Sequence, residues 1–391
     1  MRIVFYRYNS ICEEDYIRAF EAAGLEVICI TEEMTDKEIL PSRRVALIHQ
    51  ALTDCAPLFV FSVNFFPAIA ETCEIHHCFY LCHTVDSPVM PLFSESIKCD
   101  KNRIFLFDSA QYERLASYSP GHVFHLPLAS AVTRYDEVLK TSPADTDRFR
   151  NDISFVGSLY IEKNPLHGIE GQLTDYTKGF IDGVLKLQQQ VYGMNLLEES
   201  FPESVMKELR SLLPSYFFFD RPVEPVDRYI AAHELLGMAL AEKERIDTLN
   251  ALAEHFHVTL YTRSDTGKLR NVDCRGGIST HTEMPWVFRL SRINLNMTIR
   301  PIEKGLPLRI FDILGCGGFV MTNYQEELPA LFSVGEELEA YGSIDELIDK
   351  CDYYLKHEDS REAIARRGYE KVCACCTYPH RIRDMLKTVV S

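Results

Sequence analysis

IEKGLPLRIFDILGCGGFVMTNYQEE, residues 302 to 327, reads in succession as loop, helix, glycine turn, buried strand and polar loop. Gly305 and Pro307 mark the loop, and apolar residues at helical spacing run from Leu308 to Leu314. Gly315-Cys316-Gly317-Gly318 is a helix stop, and Phe319–Thr322 is an apolar run of strand length. A helix passing through a short turn into a buried strand is half of a parallel-sheet unit, which makes the fold class α/β. In open parallel sheets, ligands sit outside the carboxyl ends of the strands, where loops and helix N-termini meet.

The same alternation extends in both directions. Towards the N-terminus, Ile3–Tyr6, Glu26–Ile30, Leu58–Val63, Cys78–Cys82, Arg103–Phe107 and Val123–Leu126 read as strands, with Glu13–Ala23 as a helix. Lys140–Asn151, KTSPADTDRFRN, is polar and proline-broken and reads as a linker. Ile153–Val156 then opens a second series, continued by strands at Val258–Tyr261, Ile293–Asn296 and Phe319–Thr322. Between them, helical stretches such as Gly179–Tyr192 and Ala231–Glu254 dominate. Ser343–His357 and Arg361–Cys373 are the closing helices. The predicted organisation is a domain over 1–140, a second over 152–375 with a helical insertion at about 168–254, and a C-terminal helical segment, 376–391, packing across them.

Composition narrows the function. A chain of 391 residues exceeds one ordinary core, and 46% apolar with 25% charged residues suits a globular protein. The formal charge of -16 opposes sequence-independent nucleic-acid binding. The most apolar window, Ala56–Ala70, is shorter than a membrane span and holds Asn64 and Pro67. MRIVFYRYNS resembles a first buried strand and no signal peptide, and thirteen cysteines fit reduced thiols. The expectation is a cytoplasmic protein without a membrane span and without a nucleic-acid partner.

A helix N-terminus near Leu306–Leu308 would offer unpaired N–H groups to a diphosphate, and Asp312, one turn in, would accept hydrogen bonds from ribose hydroxyls. A surface helix capped by glycine is the plainer alternative. Pro307 to Phe332, PLRIFDILGCGGFVMTNYQEELPALF, followed by Gly335-Glu336 and Tyr341, resembles the C-terminal half of the bacterial CgeB-like, or spore-maturation-type, glycosyltransferases. That resemblance is strong from about Ser291 to Leu386 and loose elsewhere. It implies the GT-B fold, two Rossmann-like domains facing a cleft. The C-terminal domain would bind a UDP- or GDP-linked sugar, the N-terminal domain an acceptor, and no metal or other cofactor would be required.

Under this resemblance Asp312 falls where many relatives hold the donor ribose with a glutamate; their second glutamate, eight residues earlier, is here Lys304, beside Glu303. The implied donor site comprises Gly157, Ser158, Tyr261, Thr262, Arg300, Lys304, Arg309, Asp312 and the Gly317–Glu326 loops, with Gly318, Asn323 and Gln325. Gly157 lets backbone approach a phosphate. Among Lys163, Arg300, Lys304 and Arg309, a fixed cation would stabilise the departing diphosphate, Arg309 being the first choice. Tyr261 and Thr262 lie where related folds meet the nucleotide base. Asp86 and His83 are candidates for acceptor activation, against a capping role for Asp86-Ser87-Pro88.

Two metal patterns are set aside. Cys73 to His83 lacks a paired zinc-knuckle spacing, and Asp145-Thr146-Asp147 follows polar residues rather than a buried strand. A nucleotide-sugar-binding protein without turnover, serving a surface-polymer or spore-coat system, and a sugar-nucleotide epimerase are the competing functions.

Overall fold

The computed structural model describes residues 1–141 and 145–390, so part of the linker, 142–144, lies outside the described residues. The chain divides into two compact units, each around a six-stranded parallel sheet. The first takes Met1–Ala129, Phe219–Pro225 and Cys376–Ser391; the second takes Ser130–Phe218 and Val226–Cys375.

In the first unit the strands are β1 (Arg2–Tyr6), β2 (Glu26–Ile30), β3 (Phe59–Val63), β4 (Phe79–His83), β5 (Asn102–Leu106) and β6 (Val123–His125). Their order is β2-β1-β3-β4-β5-β6. Every residue of β3 is buried, as a central strand covered on both faces requires. Every strand read from the first 126 residues is present, with ends shifted by a residue or two. Phe219–Pro225 also joins this unit, which the reading of the sequence did not anticipate. There Ser94 and Pro222 form an antiparallel bridge, Val223 donates its N–H to the Phe93 carbonyl at 2.8 Å, and Glu224 accepts from Arg114 and Tyr118. The helix Tyr378–Val390 packs on Glu13–Ala22, with the Tyr378 and Tyr16 rings 4.8 Å apart.

In the second unit the strands are β7 (Asn151–Val156), β8 (Val258–Tyr261), β9 (Asp273–Cys274), β10 (Ser291–Asn296), β11 (Val320–Asn323) and β12 (Glu339–Tyr341). Their order is β12-β11-β10-β7-β8-β9. The insertion between β7 and β8 is helical and carries its own core, including Leu185, Phe201, Met206, Leu235 and Leu240. Its helix Asp175–Gln189 starts four residues before the reading at Gly179, because the Thr174 hydroxyl caps it by accepting from the Thr177 N–H at 3.3 Å. Ala231–Leu236 coils as a π-helix that runs directly into the α-helix Gly237–Ala253.

Asp145-Thr146-Asp147 does not end a strand: Asp147 opens a 3-10 turn and pairs with Arg150. None of the thirteen cysteines forms a disulfide. Among the described residues no helix is long and apolar enough to cross a membrane.

Candidate functional site

Connection order fixes where each sheet opens. From β7 the chain passes to β8 on one side and later returns with β10 on the other, so the crevice of the second unit lies between the carboxyl ends of β7 and β10. Gly157 and Ser158 leave β7 at this point, and Met297 and Thr298 leave β10. The Gly157 N–H donates to the Tyr261 carbonyl at 3.1 Å. The Ser158 hydroxyl donates to Glu162 at 2.7 Å, and Ser264 Oγ both accepts from the Leu159 N–H at 2.8 Å and donates to Glu162 at 3.2 Å. Burial opposes charge on Glu162, but hydrogen bonds from Ser158, its own backbone and Ser264 outweigh it and hold the carboxyl below the usual range. Thr262 ties its own loop, its hydroxyl accepting from the Ser264 N–H at 3.1 Å.

On the other side of β10 the rim is stitched by amides. Asn323 ends β11; its Oδ1 accepts from the Thr298 N–H at 2.7 Å and its Nδ2 donates to the Thr298 carbonyl at 3.0 Å. Gln325 donates to the Ile302 carbonyl at 3.1 Å, while Glu326 is exposed, 3.6 Å from Lys304. These residues shape the loops into which the helix Leu308–Gly315 opens, and its first turn points to this rim because the helix runs from the end of β10 to the start of β11.

Arg309 and Asp312 lie together on that helix, Nη1 to Oδ2 at 3.0 Å, and Tyr135 donates its hydroxyl to the other carboxylate oxygen at 2.5 Å. Both side chains remain partly accessible, 26% and 15%. Burial, then the adjacent Asp312 charge, raises the Tyr135 phenol well above its ordinary value, so it stays a proton donor to the carboxylate. Arg300 is placed differently from expectation. Its guanidinium donates twice to Glu244, at 2.9 and 2.7 Å, and once to the Val191 carbonyl, with the Tyr192 ring 4.1 Å away. This fully engaged, 9% exposed arginine is a brace between the insertion and Gly237–Ala253, and the reading of it as a diphosphate cation is corrected.

Three further expectations are corrected by placement. Gly317 and Gly318 follow the C-terminus of their helix and precede β11, so they lie at the amino ends of the strands, away from the crevice. There they help line a cleft of about 1080 Å³ with Trp286, Arg289 and Arg366. Gly317 adopts a φ of 71°, and a Cβ on it would come within 2.2 Å of the Arg289 guanidinium. Tyr261 is 4% exposed, its hydroxyl donating to the Arg148 carbonyl at 3.2 Å, which packs the ring away from any base.

In the first unit the corresponding crevice lies between β1 and β3. Asn64, just beyond β3 with a φ of 56°, donates through Nδ2 to Asp86 Oδ2 at 2.7 Å and to the Tyr8 hydroxyl at 2.9 Å. Its Oδ1 accepts from the Val85 N–H at 3.0 Å. Asp86 is therefore an exposed carboxylate held by a clamped amide. His83 is 0% exposed. Its Nδ1 accepts from the Tyr16 hydroxyl at 2.5 Å and its Nε2–H donates to the Leu126 carbonyl at 2.8 Å.

Burial, aided by Arg381 and His125, pushes the His83 imidazole down to about 3. The expectation that it orients or deprotonates an acceptor is corrected: it is a neutral packing residue. Because the folded value lies below the unfolded one near 6.5, only the unfolded chain takes up this proton in that interval, and stability is lost as pH falls from 6.5 towards 3. The expected contribution is roughly 1 kcal/mol per pH unit. Chemical denaturation between pH 6.5 and 4 checks it: His83→Gln should shed one proton from the slope, and an unchanged slope contradicts the assignment.

Sequence reasoning missed Arg245. Glu242-Lys243-Glu244-Arg245 resembles a solvated helix face, yet Glu242 and Arg245 are buried.

Residues 242–387 match the family model described as glycosyl transferase-like. Among curated proteins none matches the sequence. Similar solved structures include HepE of Anabaena in complex with UDP and glucose, at 11% identity and a TM-score of 0.57 over 100% of this chain and 99% of that one. A sucrose-phosphate synthase from Thermosynechococcus elongatus is 10% identical, TM-score 0.56, over 99% and 98% of the two chains. A glycosyltransferase from Rickettsia africae is 11% identical, TM-score 0.54, over 99% and 97%. The fold is GT-B. Within this fold the second unit supplies the strands β7, β8, β10 and β11 whose carboxyl ends carry the crevice described above.

Proposed function

We propose that this chain is a glycosyltransferase, CgeB-like in kind, that moves a sugar from a UDP- or GDP-linked donor to an acceptor hydroxyl. The observation that carries the reading is the strand order of the second unit, which opens a crevice between β7 and β10 beside Gly157-Ser158, in a region that includes the glycosyl transferase-like match. The nucleotide-bearing complex of HepE adds support, since a likeness of fold at this coverage brings the same class of ligand into consideration.

In this proposal Gly157 leaves the exit of β7 without a side chain so that the Ser158 N–H can meet the diphosphate, the Gly157 N–H itself being bonded to the Tyr261 carbonyl. The first turn of Leu308–Gly315 offers N–H groups and positive potential. Arg309 faces the leaving phosphate, steered by Asp312, which Tyr135 holds. Lys304 and Lys163 add charge at the rim. Asp86 accepts the proton of the attacking hydroxyl in the first unit. Cations and backbone dipoles supply the charge that a divalent ion supplies elsewhere, so turnover is proposed to need no metal. Thirteen cysteines without a disulfide suit a reducing, cytoplasmic setting.

The test is nucleotide release from a panel of UDP- and GDP-sugars, with and without EDTA. Slow release of one nucleotide, unchanged by EDTA, is expected. A chain that neither binds nor turns over any donor overturns the proposal, and loss of release in EDTA overturns its metal independence. Binding without release would favour the second reading, a nucleotide-sugar-binding protein, which the occupation of position 304 by lysine supports.

A further inference from the structure

We propose that Arg245 is the residue that receives the diphosphate of the donor, spanning the crevice between β7 and β10. This rests on the reading that the chain binds a nucleoside diphosphate sugar. The inference comes from geometry: Nη1 donates to the Ser158 carbonyl at 2.5 Å and Nη2 to the Met297 carbonyl at 2.9 Å. One carbonyl follows β7 and the other follows β10, so a single guanidinium bridges the two strand ends where this topology opens. Phe155 and Tyr160 hold its plane, with ring centroids 5.3 and 4.4 Å from Cζ.

Its charge is only partly answered, by attraction to Glu244 without a bond between them. Arg245 is 9% exposed and makes no ion pair among the described residues. The neighbouring carboxylate, Glu244, gives its bonding oxygen to Arg300. The Nε–H of Arg245 is buried with no hydrogen-bond partner, a rare state for so strong a donor. Buried cations in proteins are matched by an anion or a dense set of acceptors, and two carbonyls do not complete that match.

Further cations stand close by. Lys163 lies 4.7 Å from the centroid of the same Tyr160 ring. Burial, with the like charge of Arg309, pushes Arg245 below the ordinary arginine value and outweighs the upward pull of Tyr160 and Glu244. A group carrying two negative charges relieves these costs together: it neutralises Arg245 and offsets its repulsion with Arg309. A neutral sugar or nucleoside does neither. Among the parts of a nucleotide sugar, that leaves the diphosphate.

The test compares nucleoside diphosphates with their nucleosides on the full chain by equilibrium titration: UDP against uridine, and GDP against guanosine. Charge-assisted bonds of this kind predict that Arg245→Met weakens the diphosphate by about 10- to 100-fold while the nucleoside changes little, so preference for the diphosphate collapses. Arg245→Lys should keep part of that preference and Arg245→Gln should lose it. This pair decides the matter if Arg245→Met does not fold. Equal losses for diphosphate and nucleoside would mean a merely structural brace and overturn the proposal, as would unchanged affinities. If the unaltered protein binds neither UDP nor GDP, the donor reading itself has failed, which is a distinct result.

Discussion

Asp86→Asn is expected to cut acceptor-dependent transfer by about 10²- to 10⁴-fold, the usual contribution of a positioned general base, while leaving nucleotide affinity unchanged. The carboxylate is exposed and is gripped by Asn64, whose amide also binds Tyr8 and the Val85 backbone. Asparagine keeps the shape of the side chain and its place in this cluster but cannot take a proton at neutral pH. Transfer rate and UDP or GDP titration on the same preparation check the split. A rate within threefold of the parent, or an equal fall in nucleotide affinity, contradicts the role.

The second large effect concerns stability. Arg300→Met strips the partner from Glu244, whose carboxyl burial already pushes upward and which Arg300 pulls back. Breaking a buried pair from one side costs about 3–5 kcal/mol, because the remaining charge is left without compensation. For a unit of this size that is on the order of 10 °C in thermal midpoint. The loss should shrink as pH falls, since the stranded carboxyl can then protonate. Arg300→Met with Glu244→Leu should recover most of it, because an apolar pair of similar volume avoids both desolvation costs. A single variant as stable as the parent, or a double variant no better than the single, contradicts the buried-pair account.

Much of the architecture was legible because parallel strands are buried on both faces and so read as unbroken apolar runs. Phe59–Val63 and Ile153–Val156 are such runs, and both units were found from them. Glu339–Tyr341 escaped notice because it is three residues long and begins with a charged residue, Glu339, that is buried through bonds to Lys350 and Tyr354. Phe219–Pro225 escaped because its prolines read only as breaks, whereas its partners lie over a hundred residues earlier.

The elements that bear the candidate residues were legible, but where those residues lie was legible only in part. The turn Gly157-Ser158 and the helix bearing Arg309 and Asp312 do lie at the carboxyl rim. Gly317 and Gly318 were counted with the donor loops, but the direction of the helix before them carries them to the opposite edge. Arg300 and Arg245 show the limit of composition: each is one arginine in a charged context, and only tertiary packing separates the paired one from the unpaired one.

Because Ala231–Leu236 coils as a π turn, it holds one residue more than an α-turn, and that surplus sets the phase of everything downstream on the same rod. Removing any one of those residues would let the coil tighten to α and swing Arg245 roughly 100° about the axis. It would also carry Gly237 away from Pro301, whose ring already sits where a Cβ would be, at 2.7 Å. The length of this segment is therefore as constrained as the packing of its buried side chains.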